Sequence, residues 1–186
     1  MTTMIHETQQ HYRKLIDLFS RPGEVGAGRM EMPNFTRFSD AVLATVMTLL
    51  DNEICFATTA QGDREEFMTL TGAKCTEDYS VADFIVMKES DLTEEMMETI
   101  KAGTLASPEK SATLIIEVAS IGSGYSYRLQ GPGIKTVNEV AMSLDPKWMA
   151  IRDTRCIEFP IGIDLILIDR DNHMTVIPRT TSVEVV

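Results

Sequence analysis

Apolar positions along the chain change period several times, and the changes divide it into elements. From Ile5 onward Tyr12, Leu15, Ile16 and Phe19 recur at helical spacing, with His6, Arg13, Lys14 and Asp17 elsewhere around the wheel, which predicts an amphipathic helix. It ends at Arg21-Pro22-Gly23, because proline pushes the preceding residue out of the α region and Gly23 tolerates a positive φ. A loop containing Met30, Met32 and Pro33 follows. Ser39 then offers an N-cap to a helix over 40–50 that is apolar on most sides and therefore predicted to be buried. Next come a strand over 53–58, a helix over 63–70 closed by Gly72, and an apolar strand over 82–87. Thr93 precedes a short helix with Met96, Met97 and Ile100 on one side, ended by Gly103.

The run over 112–118 is a clear strand. Beyond Gly122-Ser123-Gly124, Tyr125, Tyr127 and Leu129 alternate with polar residues, so the two runs are predicted to pair as a hairpin about the glycines. Asp145-Pro146 starts a helix that carries Trp148, Met149 and Ile151 and is expected to run until Phe159-Pro160. A second hairpin joins 164–168 to 174–177 through Asp169-Arg170-Asp171-Asn172, and Pro178 stops it. Hairpins force antiparallel neighbours while strand–helix–strand units favour parallel ones. The fold class is therefore α/β, a mixed β-sheet flanked by helices.

Composition bounds this picture. The 186 residues contain no Pro, Gly and Ser stretch long enough for a linker, so a single domain over 1–186 is expected, large enough to fold without disulfides or metal. The net charge of -11 is spread along the chain, which opposes nucleic acid and anionic membranes as partners. Cys55, Cys75 and Cys156 are odd in number and unrelated in spacing, so no disulfide framework or zinc motif follows. With no apolar signal core over 1–10 and no membrane-length run, the expected location is the cytoplasm.

Candidate chemistry is sparse. Pyridoxal phosphate would need a Schiff-base lysine, an acidic partner for its ring nitrogen and a phosphate cup. These do not assemble: Lys110 before a strand and Lys135 after a turn are the only lysines placed where a cleft is expected, and lysines at strand edges more often serve solubility. Gly26-Ala27-Gly28 and Gly122-Ser123-Gly124 lack the strand, helix and full fingerprint of a phosphate loop. His6 and His11 stand five apart on one helix and face different ways, and His173 reads as a strand-edge histidine, so no metal is expected. No Gly-x-Ser-x-Gly or other local nucleophile signature occurs. What remains are cationic and hydroxyl groups at turns and strand exits. Arg21, Arg128, Arg179 and Thr180 are candidate anion contacts, set against the plainer reading of helix-end and strand-exit polar residues.

Several segments, taken in order, carry a resemblance: Arg21-Pro22-Gly23, Thr48-Leu49-Leu50-Asp51, Ala82-Asp83-Phe84, Ser111-Ala112-Thr113-Leu114, Leu129-Gln130-Gly131-Pro132-Gly133-Ile134, Phe159-Pro160-Ile161-Gly162-Ile163-Asp164-Leu165 and Pro178-Arg179-Thr180-Thr181. With these the chain resembles, nearly end to end, the PhnH family of the bacterial carbon-phosphorus lyase system for phosphonate breakdown. The resemblance implies a fold related to the large domain of pyridoxal-phosphate transferases without the cofactor site, hence no cofactor. It also implies a homodimer and a core complex with PhnG, PhnI and PhnJ. There PhnI, helped by PhnG, PhnH and PhnL, couples a phosphonate to the ribose of ATP and releases adenine. The later radical cleavage belongs to PhnJ with its iron-sulfur cluster and S-adenosylmethionine. The resemblance assigns no catalytic residue to this chain. Two roles follow: a required interaction subunit, with Met30, Met32, Met96 and Met97 as candidate surface against a second copy or PhnI, set against the plainer reading of methionines as core filler, or an anion-binding subunit that meets triphosphate or phosphonate through the arginines above.

Overall fold

A computed structural model describes residues 2–28 and 37–186, with side chains from Ile5 onward in the first stretch. The loop read at Met30, Met32 and Pro33 lies outside the described residues. Helix α1 (Thr2–Ser20) forms as its periodicity predicts and ends at the Arg21-Pro22-Gly23 turn, where Gly23 takes φ +84°. Its buried stripe is His11, Leu15 and Leu18, while Tyr12 and Ile16 are each 49% exposed. The expected stripe was thus rotated by about one residue, because His11 takes an inward position that an apolar count passes over.

Helix α2 (Asp40–Leu49) is buried along Ala41–Val46, as its all-round apolarity requires. Ser39 occupies the N-cap position, but its hydroxyl makes no cap bond; Ala41 N–H instead donates to Asn172 Oδ1 at 2.9 Å, a partner remote in sequence. Strand β1 (Gly26–Ala27) precedes α2, and β2 (Cys55–Thr58) and α3 (Gln61–Thr71) follow it, with Gly72 left-handed at the C-cap as predicted. Then come β3 (Lys74–Cys75), β4 (Phe84–Lys88), a 3-10 turn (Glu89–Asp91) and α4 (Glu94–Thr99), whose cap Thr93 accepts the Met96 N–H. Met96 and Met97 are core residues, 4% and 1% exposed, and offer no contact surface.

A small hairpin of β5 (Ala102–Thr104) and β6 (Ser107–Ser111) leads into β7 (Thr113–Val118). Strands β8 (Ile121–Gln130) and β9 (Asn138–Met142), helix α5 (Pro146–Arg155), and strands β10 (Asp164–Asp169), β11 (His173–Ile177) and β12 (Ser182–Val185) complete the chain. Helix α5 starts at Asp145-Pro146 as predicted but ends at Arg155, before Phe159-Pro160; Ile157 and Phe159 point to solvent and supply no burial to hold another turn.

Seven strands form one mixed sheet in the order β1-β11-β10-β7-β4-β2-β3, with β3, β2, β4, β7 and β10 parallel and β11 antiparallel to β10. The predicted β10–β11 hairpin is present. Asp169 Oδ1 accepts the N–H groups of Asp171 and His173, and Asn172 adopts φ 65°, which asparagine tolerates. The predicted hairpin between 112–118 and 125–130 is not. β8 leaves the large sheet and pairs with β9 and β12 in a separate antiparallel sheet. Gly122 and Gly124 sit inside β8, where Ile121 and Tyr125 both face Met142, so the glycines make a bulge and not a turn.

The large sheet divides the core. On one face α1, α2 and α3 pack on Phe56, Val86, Ile115, Ile166, Ile168 and Val176. On the other, α4, α5 and the small sheet cover Ala57, Ile85, Met87, Leu114, Ile116, Leu165 and Leu167. The alternation along each strand is what the pleat demands of strands covered on both faces.

Candidate functional site

Parallel pairing turns the carboxyl ends of β4, β7 and β10 to one edge of the sheet, the edge at which open α/β sheets bind ligands. Beyond it lies a cleft of about 510 Å³, walled by Lys88, Glu117, Asp145, Lys147, Trp148 and Arg170 among others. The size suits a small ligand. Lys88 closes β4, Glu117 stands near the end of β7, and Arg170 lies in the β10–β11 turn. Asp145, Lys147 and Trp148 come from the start of α5, fixed there by cap and proline.

The acidic groups in the cleft have framework partners. Glu117 Oε2 accepts the Ser39 N–H at 2.6 Å, and its Oε1 stands 3.8 Å from Lys88 Nζ. Lys88 also donates to the Arg37 carbonyl at 3.0 Å and lies 5.5 Å from the Phe38 ring centroid. Glu89 accepts from Ser143 Oγ at 3.1 Å, and that oxygen in turn accepts the N–H groups of Ala119 and Ser120. Asp145 Oδ1 accepts the Lys147 N–H at 2.9 Å. The cations at the mouth are less tied. Lys147 Nζ lies 4.4 Å from the centroid of Trp148, the chain's one tryptophan, and among the described residues neither Lys147 nor Arg170 has a carboxylate at ion-pair distance. The arrangement can hold negative charge and desolvate one side of a ligand against an indole.

The residues singled out from sequence are dispersed. Arg21, exposed at the end of α1, pairs with Glu24 at 3.1 Å and Asp17 at 3.8 Å. Arg128 on β8 pairs with Glu139 at 3.3 Å and Glu184 at 3.8 Å. Arg179 and Thr180 do come together, on the wall of a smaller cavity of about 280 Å³ with Asp153, Cys156 and Phe159; neither Arg21 nor Arg128 reaches it. The Arg179 guanidinium pairs with Asp164 at 3.3 Å and donates to the Pro108 carbonyl and Ser111 Oγ, tying the β5–β6 hairpin to β10. A neighbouring arginine found only in the structure, Arg152, is fully buried and donates to the carbonyls of Pro178 and Thr181 and to Asp153.

Lys110 and Lys135 are exposed and line neither cavity. Gly28 is a packing glycine: a Cβ there would lie 2.8 Å from Met174 Sδ and 2.9 Å from Ala41 Cβ. His6 is exposed and His11 buried, on different faces as expected. Asp169, Asp171 and His173 bring ligand atoms within 4.8 Å of one another, an arrangement the β10–β11 hairpin accounts for, since Asp169 also accepts the Ile121 N–H at 3.0 Å and faces His173 Nδ1 at 3.0 Å. Burial pushes the thiols of Cys75 and Cys156 above the ordinary cysteine range, which keeps them protonated and poor as nucleophiles. No helix among the described residues is long and apolar enough to cross a membrane.

The lysines that line the cleft are Lys88 and Lys147, and not Lys110 and Lys135 as expected, because the first two carry no local sequence signal. The signal that could have found the cleft is positional: Lys88, Glu117 and Arg170 all fall at the downstream ends of apolar strand runs, where the parallel-sheet rule places ligands.

Comparison with known proteins is consistent across the chain. The family model described as bacterial phosphonate metabolism protein (PhnH) matches residues 1–184. A Stutzerimonas stutzeri protein named as C-P lyase subunit protein HtxG is 30% identical over 176 residues, covering 94% of this chain and 85% of its own. A Rhizobium meliloti (strain 1021) protein named alpha-D-ribose 1-methylphosphonate 5-triphosphate synthase subunit PhnH is 29% identical, covering 97% of this chain and 92% of its own.

Proposed function

The chain belongs to the PhnH family of bacterial phosphonate metabolism proteins, and on that premise we propose that it is a required, non-catalytic subunit of a carbon-phosphorus lyase assembly. The observation that carries the reading is the end-to-end match to the family, joined by two relatives whose names make each a subunit of a larger enzyme. In this reading the chain acts in the cytoplasm as one domain and as a homodimer. It stands with PhnG, PhnI and PhnJ and supports transfer of a phosphonate to the ribose of ATP with release of adenine. Its fold descends from the large domain of pyridoxal-phosphate transferases, a kinship supported by the seven-stranded mixed sheet with a single antiparallel strand inside the parallel set's far edge. It brings no cofactor of its own. Chemistry in the partners is in keeping with Arg21, Arg128, Arg152 and Arg179 serving the framework and with the Cys75 and Cys156 thiols held protonated by burial.

The test is deletion of the gene in a host that grows on methylphosphonate as sole phosphorus source, with tagged chain used for capture and light scattering. Growth should stop, and PhnG, PhnI and PhnJ should co-purify with the tagged chain. Growth that continues, with an assembly of the other subunits forming equally well without this chain, overturns the proposal.

A further inference from the structure

We propose that the cleft at the carboxyl ends of β4, β7 and β10 is a binding site for a small molecule bearing a phosphoryl or phosphonyl dianion, held by Lys147 and Arg170 at the mouth and Lys88 further in. The site stands on geometry alone; the choice of phosphorus oxyanion over other anions rests on the subunit reading above.

Three observations carry it. First, cations from three different elements, the end of β4, the β10–β11 turn and the first turn of α5, converge on one cavity of about 510 Å³. They are far apart in sequence, so local chain chemistry does not account for their meeting. Second, among the described residues the carboxylates of the same cavity pair with one of these cations only, Lys88, and leave the other two unpaired. Glu117 is held by the Ser39 amide and shared with Lys88, Glu89 by the Ser143 hydroxyl, and Asp145 by the Lys147 amide. Lys147 and Arg170 keep their donors free of carboxylates among the described residues, and a guanidinium with an ammonium matches the oxygens of a tetrahedral dianion. Third, Trp148 is nearly buried in the wall with Lys147 above its ring, which gives the cleft one apolar side. Helix α5 contributes these side chains and not its amides, since Asp145 already accepts from its first turn.

Because the chain has a single tryptophan, its emission reports on this site. Titration of the full-length chain with methylphosphonate, inorganic triphosphate and ATP, followed by calorimetry and by Trp148 fluorescence, should give saturable heat and a saturable emission change for at least one of them. Competition between methylphosphonate and triphosphate identifies which anion the cleft prefers. Lys147→Ala and Arg170→Ala should each weaken binding about tenfold or more, while Arg13→Ala on α1 leaves it unchanged; circular dichroism confirms that each variant folds. No saturable signal at millimolar ligand, or binding that survives the Lys147→Ala/Arg170→Ala double variant, overturns the inference. So does binding lost in Arg179→Ala but kept in the cleft variants, which moves the anion to the smaller cavity. These outcomes are separate from the growth test. A chain that restores growth yet binds nothing here refutes the cleft and leaves the subunit role, and binding without dependence of growth does the reverse.

Discussion

His11 shows what a single buried group can impose. It is 4% exposed, and its Nε2 lies 2.9 Å from Thr45 Oγ, whose own proton goes to the Ala41 carbonyl at 2.7 Å. Thr45 therefore accepts, and His11 carries its proton on Nε2. Burial lowers the imidazole from 6.5 to about 4. The unfolded chain binds a proton between those values that the folded chain refuses, so stability is full above the unfolded value and falls as pH drops from 6.5 towards about 4. His11→Gln keeps a donor to Thr45 but does not titrate. In urea melts, the parent should lose about 2 kcal/mol more than this variant between about pH 7 and about pH 5. Parallel pH profiles would show that His11 is not the acid-sensitive group. The inward turn of His11 was not legible in the sequence, since a histidine among Tyr12, Leu15 and Ile16 reads as polar face until packing decides. The cleft cations were equally hidden. Lys147 and Arg170 are ordinary exposed residues in the sequence and acquire meaning only when sheet order brings α5 over the β10–β11 turn.

At the level of elements, helices and parallel strands were legible because their signals are local: caps at Thr93 and Asp145, a left-handed Gly72, and continuous apolar runs at β4, β7 and β10. The small sheet was not, because its pairings are distant and β9 and β12 are half polar. Its pivot is the bulge in β8. Gly122 and Gly124 both hold positive φ, but a Cβ on Gly122 meets nothing within 4 Å, whereas one on Gly124 runs into the backbone carbonyl of Met142. Gly122→Ala should cost about 1 kcal/mol from conformation alone, and Gly124→Ala clearly more, in thermal melts followed by circular dichroism. Equal losses would mean that the glycines form a free turn, as first expected, and not a bulge pressed on β9.

At the level of the whole molecule, strands β4, β7 and β10 supply alternate side chains to both halves of the core: Ile115 and Ile166 to one, Leu114, Ile116 and Leu165 to the other. Neither half can loosen without exposing the back of the strands it shares. Trp148 belongs to one half and α1 and α2 to the other. Denaturation followed by tryptophan emission and by far-ultraviolet helix signal should therefore superimpose in a single transition, and an earlier tryptophan transition would reveal two separable units. The margins of the large sheet have a different consequence. Among the described residues it finishes on both sides in strands of two residues, Gly26–Ala27 and Lys74–Cys75, each too short an edge to template a long added strand. Recognition there is written in residue identity and can drift between lineages one substitution at a time, whereas a shared ladder would accept almost any strand.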